Sequence, residues 1–397
     1  MESKVRKHFM GFERENGYGT RNHVLIIPTV SCSEFTVKKI LSAVEGEHST
    51  PDGKVKALHN PYGCGQTGKD LEQTTQTLIN TGKNPNVASV MVMALGCESV
   101  DYNRVADEVS KVKPVTFLKI QDMGGKSSVE NGIEKIKEMI EESSKYKRKE
   151  ADTSYLSIGL ECGGSDFTSG LASNPLVGKI SDWIVNSNGT SIISEIPEFI
   201  GAEHLYAERG MTPEIQEAIL KTISDFEKKL KEEANADFRN AQPSPGNIAG
   251  GLTTIEEKSL GAIKKSGSAK VSGVLKYGEI PKSRGHFLMN SPGYDIESVT
   301  GMVAGGANIV LFTTGRGTPT GNIITPVIKI TANSGTYEKM KDFIDFDASS
   351  IINGKKDIQG MSEEVKKLVL NVASGKSVLA EDNEQDDFAI YRIGPTY

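Results

Sequence analysis

The sequence predicts an α/β protein made of two doubly wound, Rossmann-like parallel-sheet domains, residues 1–145 and 146–397. Three observations carry this expectation. Short runs rich in Val, Ile and Leu alternate with stretches of helical period in the first part of the chain. A polar, charged segment, Ser143 to Thr153, interrupts the alternation and reads as a linker. Beyond it the alternation resumes, which is how βαβ units with parallel strands appear in a sequence. The length of 397 residues fits two or three domains of roughly 150 residues.

The first domain should contain strands at His23 to Val30, Val55 to His59, Ala88 to Leu95 and Pro114 to Ile120, apolar enough to be buried on both faces. Helices should lie at Glu34 to Val44, Gly68 to Thr81, Asp101 to Val112 and Ser127 to Glu142; in the last, Val129, Ile133, Ile136 and Ile140 share one face. The second domain should open with a strand at Tyr155 to Leu160, a glycine-rich loop, a helix from Pro175 to Val185 and a strand at Thr190 to Ser194. Thr212, Pro213 and Glu214 combine a cap, a first-turn proline and an early acid, so a helix starts there. Its apolar face runs Ile215, Ile219, Ile223, Phe226 and Leu230. Ala241 to Gly251 reads as a loop, Val299 to Ala304 as helix, Asn308 to Thr313 and Val327 to Thr331 as strands, Ser362 to Ala373 as helix. A short last strand should follow the acidic Glu381 to Asp387.

Composition narrows the function. Asp and Glu outnumber Lys and Arg, 52 to 46, for a net charge of −6, which does not suit a nucleic-acid binder. No run approaches the ~18 apolar residues of a membrane span, and Met1 to Met10 is charged and lacks a signal-peptide core, so a cytoplasmic protein is expected. Four cysteines in a chain of this length are not a disulfide framework. Each of them, Cys32, Cys64, Cys97 and Cys162, falls just after a predicted strand. Carboxyl ends of strands form the ligand crevice of open α/β sheets, so the four thiols are expected to mark one crevice.

Polar neighbours accompany them. His59 precedes Cys64 by one turn of loop, Glu98 follows Cys97, and Glu161, Ser165 and Asp166 surround Cys162. Mixed thiol, imidazole and carboxylate donors suit Fe(II), Zn or Mn better than Mg or Ca, but without a CxxC pair the spacing specifies no zinc ribbon. Gly315, Gly317 and Gly321 miss the dinucleotide spacing, and no helix start follows them, so nucleotide binding is not expected. Arg316 in that loop offers a planar fork suited to a carboxylate or sulfonate.

The ordered blocks Gly19-Thr20-Arg21-Asn22, Cys32-Ser33, His59 with Gly63-Cys64-Gly65, Leu95-Gly96-Cys97-Glu98, Gln121 with Gly124-Gly125, Cys162-Gly163-Gly164-Ser165-Asp166, Asn174-Pro175, Ser194-Glu195 with Pro197-Glu198, Gly201-Ala202-Glu203 and Thr313-Thr314-Gly315-Arg316-Gly317 resemble the altronate and galactarate dehydratase family. Relatives of that family include the large subunit of sulfolactate sulfo-lyase. The resemblance implies a lyase that removes water from a sugar acid by elimination next to the carboxylate, or sulfite from a sulfonated hydroxy acid, with Fe(II), or Mn(II), as cofactor. Three thiolates leave an iron–sulfur cluster as a further option. Family enzymes carry a small SAF domain, fused or separate. Because the family blocks begin almost at the start of this chain, a separate SAF-domain subunit and an oligomer are expected. A sugar-acid-binding or scaffold subunit without catalysis is the reading from another class.

Elimination next to a carboxylate needs a base, help for the leaving group and stabilisation of enolate-like charge. The metal is expected among Cys64, Cys97, Cys162 and His59, with Glu98 or Asp166 able to replace a ligand. His59 and Glu98 are the candidate bases, and Arg21 and Arg316 the residues that grip the acid group. Asn22, Gly163, Gly164, Ser165 and Asp166 should line the substrate. Glu195, Glu198 and Glu203 form an acidic group that binds hydroxyls or favours a helix start.

Overall fold

A computed structural model describes residues 8–44, 49–50 and 52–397. Two mainly parallel sheets dominate it. The first contains β3 (His23–Pro28), β4 (Ser49–Thr50), β5 (Gly53–Ala57), β6 (Val87–Ala94) and β7 (Val115–Lys119) in the order β4-β5-β3-β6-β7. All its pairings are parallel except β4 with β5. Every residue of β3 and β6 is buried, which explains their unbroken apolar runs. Val24, Ile26, Met91 and Met93 pack against Ile40 of helix Glu34–Val44 and Ile136 of helix Gly125–Ser144. The alternate residues Leu25, Ile27, Val90 and Val92 join Leu78 of helix Gly68–Lys83 and Val105 of helix Tyr102–Ser110.

The second sheet holds β9 (Ser157–Gly163), β10 (Thr190–Ile193), β11 (Val271–Leu275), β12 (Gly285–Met289), β13 (Ile309–Thr314), β14 (Val327–Thr331) and β15 (Phe346–Asp347) in the order β11-β12-β10-β9-β13-β14-β15, all parallel. The chain starts at β9, builds towards β10 and β12, then resumes on the other flank at β13. Strand order therefore reverses beside β9, as it does between β3 and β6 in the first sheet, and such reversals open a crevice at the carboxyl ends of the strands.

Three sequence expectations fail here. Ala241 to Gly251, expected as a loop, contains a short helix, Pro245–Ala249, capped by Ser244 and started by its proline. The segment expected as a linker contains β8 (Arg148–Asp152), which pairs antiparallel with β1 (His8–Arg14); β1 pairs in turn with β2 (Gly17–Gly19) in a third small sheet. Alternate burial of so few residues left little periodic signal, and charged Arg148, Lys149 and Glu150 masked it. The expected last strand does not form: Thr396 makes only an isolated bridge to Gln66. The two sheets meet through buried amides. Asn84 donates to the carbonyls of Val303 and Ala307, Asn86 to that of Asn308, and Thr20 Oγ1 contacts both Asn86 and the Asn308 carbonyl.

His286 is a satisfied core histidine. Its ring nitrogens meet Tyr206 Oη at 2.9 Å and Ser191 Oγ at 3.2 Å, and burial pushes its pKa down to about 3. The unfolded imidazole therefore binds a proton that the folded one refuses. The stability involved is fully present above the unfolded pKa of about 6.5 and is lost as pH falls towards 3. His286→Asn should flatten the loss of stability between pH 6.5 and 5 by about 2 kcal/mol, read from denaturant melts at the two pH values. An unaltered slope would show that His286 is not the group resisting protonation.

Candidate active site

The densest chemistry gathers at the carboxyl end of β9, on the flank of β10. Glu161 and Cys162 end β9, and Ser194-Glu195 follows β10. Glu195 takes the left-handed backbone conformation, φ 65°, before the short helix Ile196–Phe199; holding a non-glycine residue there costs of order 1–3 kcal/mol and is common at functional sites. Lys265, in the turn after helix Ile255–Ile263, is fully buried and reaches into the group. Its ammonium donates to Glu195 Oε2 at 2.8 Å, Glu198 Oε2 at 2.6 Å and Cys162 Sγ at 3.0 Å. The Cys162 thiol donates to Glu198 Oε2 at 3.0 Å. Ser298 donates to Glu161 Oε2 at 2.6 Å and also meets Ser194 Oγ. Asp295, half-buried at the start of helix Asp295–Ala304, lies against Gly163, where a Cβ would collide with its carboxylate.

Charge is crowded here, and the protons sort accordingly. Burial opposes the charge on Lys265, yet Cys162, Glu195 and Glu198 together hold it well above its usual value, so it stays an ammonium. Burial raises Glu198 too, but Lys265 outweighs it and keeps that carboxylate ionised. Burial and the Glu198 charge push Glu195 up to about 7 and Asp295 up to about 6. Burial and Glu195 raise Glu161 far above the carboxylate range, and burial with Glu198 keeps Cys162 a neutral thiol. Such a spread of proton affinities in one buried cluster makes it the candidate acid–base site.

Two sets of three donor atoms converge within 4.8 Å among the described residues: Cys162, Glu195 and Glu198, and Glu161, Glu195 and Asp295. Lys265 already supplies a cation to the first set. The second is all oxygen, and Glu161 Oε1 is buried with no hydrogen-bond partner. A divalent cation such as Fe(II) or Mn(II) fits it by charge and by that orphaned oxygen.

The residues expected from the sequence are dispersed. Cys162 is buried in this cluster, whereas Cys32, Cys64 and Cys97 are exposed at the edge of the first sheet, and neither converging set contains His59, Cys64 or Cys97. The exposed His59 meets Glu34 at 3.3 Å. Glu98 is fixed by its own loop, accepting from Thr29 Oγ1 at 2.6 Å and from the Leu95 and Gly96 amides. Asn22 accepts from Arg14 and donates to the Ser143 carbonyl. Asp166 Oδ1 accepts from Thr168 and Ser169, and its Oδ2 from Asn333, so this carboxylate organises the loop after β9. Ser165 is buried, and its carbonyl accepts from Asn247. Of the expected substrate residues, Gly163 and Gly164 adjoin the cluster, and exposed Arg316 stands beside Gly164, its guanidinium held by the Gly246 carbonyl at 2.7 Å.

Arg21 lies before β3, at the opposite end of that strand from the crevice. It is 4% exposed, forks onto Glu381 at 2.5 and 2.7 Å, and spends its other N–H groups on the carbonyls of Thr20, Val372 and Lys376. It clamps the C-terminal region onto the N-terminal one, and every N–H group of its guanidinium is spent on these partners. Arg21→Ala leaves a half-buried Glu381 and three carbonyls without their donor and should cost about 2–4 kcal/mol in chemical denaturation. Activity per folded molecule should change less than about threefold; a specific rise in KM would restore its substrate role.

Glu161, Glu195 and Glu198 stood in view in the sequence. Lys265 and Asp295 did not: the first reads as one of two ordinary surface lysines, the second as an acid favouring a helix start.

The description D-galactarate/Altronate dehydratase, C-terminal, matches residues 153–396, and D-galactarate dehydratase/Altronate hydrolase, second domain, matches residues 11–144. Altronate dehydratase of Bacillus subtilis (strain 168) is 38% identical over 99% of this chain and 79% of its own length. Altronate dehydratase of Escherichia coli (strain K12) is 36% identical over 97% and 78%. The (2R)-sulfolactate sulfo-lyase subunit beta of Chromohalobacter salexigens is 35% identical over 99% of both chains. No helix among the described residues is long and apolar enough to cross a membrane. With both matches spanning nearly the whole chain, and its relatives all removing a group from a small molecule, this protein is a lyase and belongs to the D-galactarate/altronate dehydratase family.

Proposed function

We propose that this chain dehydrates a sugar acid of the altronate or galactarate type, and that the buried Glu161, Glu195, Glu198, Lys265 and Asp295 cluster carries the elimination. The observation that supports this most is Glu195, whose pKa of about 7 suits a base at neutral pH and whose carboxylate is held by a permanent ammonium. In this reading Glu195 takes the proton from the carbon next to the carboxylate. Lys265 orients Glu195 and sets positive charge beside the negative charge that develops. Glu198 keeps Lys265 in place, and Arg316 at the loop edge binds the acid group. Glu161 and Asp295 would hold the metal, which when bound supplies Lewis-acid polarisation of the substrate oxygens.

The Chromohalobacter relative is named a subunit, and a small-subunit partner, cytoplasmic location and oligomeric assembly are inferred for this chain as well. The test is an anaerobic assay with Fe(II) or Mn(II), with and without a small-subunit partner, offering altronate, galactarate and sulfolactate in parallel. Dehydration of either sugar acid supports the reading. Sulfite release alone would move the chain to the sulfo-lyase class, and binding without turnover would make it a non-catalytic subunit.

A further inference from the structure

Three of the four cysteines lie outside the cluster just described, at the carboxyl edge of the first sheet. Cys32 follows β3, Cys64 follows β5 and Cys97 follows β6, and these strands are adjacent in the sheet. All three thiols are exposed and free.

Their loops are bound to one another around a closed triangle. The Ser31 amide donates to the Tyr62 carbonyl at 3.0 Å, joining the Cys32 loop to the Cys64 loop. The Ser99 and Val100 amides donate to the Gly63 carbonyl at 2.8 and 3.2 Å, and the Gly65 amide to Ser99 Oγ at 3.1 Å, joining the Cys64 loop to the Cys97 loop. Glu98, accepting from Thr29 Oγ1 at 2.6 Å, closes the third side. Gly63, at φ 103°, passes so close to Thr29 that a Cβ would collide with its carbonyl oxygen. The loops are thus fastened in place, with the three thiols on the solvent side. This edge is also where strand order reverses between β3 and β6, the position at which open α/β sheets bind ligands.

We propose that Cys32, Cys64 and Cys97 together hold an iron–sulfur cluster. Thiolates are the ligands of such clusters. The three sulfurs do not gather within 4.8 Å of one another, whereas a single tetrahedral ion with bonds of about 2.3 Å would draw them to about 4 Å; a cluster, several atoms across, accepts a wider set. Three protein ligands would leave one iron of such a cluster without a protein thiolate. The assignment does not depend on the proposed dehydration.

Anaerobic reconstitution of the full chain with Fe(II) and sulfide tests it. The wild type should take up both iron and acid-labile sulfide and gain broad visible absorption. Cys32→Ser, Cys64→Ser and Cys97→Ser should each lower sulfide uptake at least about fivefold, and the triple variant should abolish it, while Cys162→Ala retains it. Because the three side chains are exposed, these serine variants should melt as the wild type does, which separates ligand loss from misfolding. Iron bound without sulfide, no uptake at all, or uptake unchanged in a folded triple variant would overturn the proposal.

Discussion

Lys265→Met should destabilise the fold by about 3–5 kcal/mol at pH 8, because it removes the buried ammonium and leaves Glu195 and Glu198 with uncompensated charge. In a thermal melt that is a fall of roughly 4–6 °C for a protein of this size. The same substitution in a solvated pair would be nearly silent, with exposed ion pairs worth about 0–1 kcal/mol. The loss should also depend on pH. Lys265 has a raised pKa and is charged in both folded and unfolded chains well below 10.5, so its own titration adds no slope between pH 5.5 and 8. Glu195, at about 7, does titrate there: on acidification it takes a proton and no longer needs the ammonium. The gap between wild type and Lys265→Met should therefore narrow by at least 1 kcal/mol at pH 5.5, by the roughly 1.4 kcal/mol carried by each pKa unit. A gap that stays constant with pH would show that the lysine fills space and does not balance charge.

Much of this architecture was legible in the sequence because buried parallel strands are written as apolar runs. β3 and β6, the latter flanked by two matching helices, are of that kind, and the strands at Thr190, Asn308 and Val327 appear close to their expected bounds. What escaped notice lacks such a run. β8 is short and mostly charged, and β1 and β2 have only a few buried positions. In the candidate site, strand-end placement pointed to Cys162, Gly163 and Gly164, although β9 runs on through Cys162 and Gly163, past the strand bound expected from the sequence, so that these two end the strand and do not follow it. It could not pair thiols across sheets: the four cysteines share a local context, but Cys162 belongs to the second sheet and the other three to the first. Lys265 is brought to Glu195 by a contact spanning seventy residues of chain, and no local pattern encodes a partner at that distance. Arg21 failed in the other direction. A motif arginine before a strand has the same appearance whether it meets a substrate or, as here, Glu381 far along the chain.

Glu195→Gln should lower kcat by about 10²–10⁴, the range carried by a positioned general base, while leaving substrate affinity within a few-fold. The substitution keeps the shape of the side chain and an oxygen for Lys265, so the loss falls on proton transfer. In the wild type, kcat should rise with pH as Glu195 loses its proton and then level off, because Glu195 must be unprotonated to act; in the variant that limb should vanish from the residual rate. Stability supplies a separate check of opposite sense. A carboxyl raised from about 4.5 to about 7 binds a proton in the folded chain that the unfolded chain has already released, so the wild type loses stability as pH rises through that window. The loss amounts to about 3 kcal/mol over the whole shift, and Glu195→Gln should lack it, becoming relatively more stable at pH 8 than at pH 5. A folded variant with full activity would remove Glu195 from the chemistry even if this stability slope appeared, whereas loss of the kinetic limb together with the slope ties both effects to one proton on one buried carboxylate.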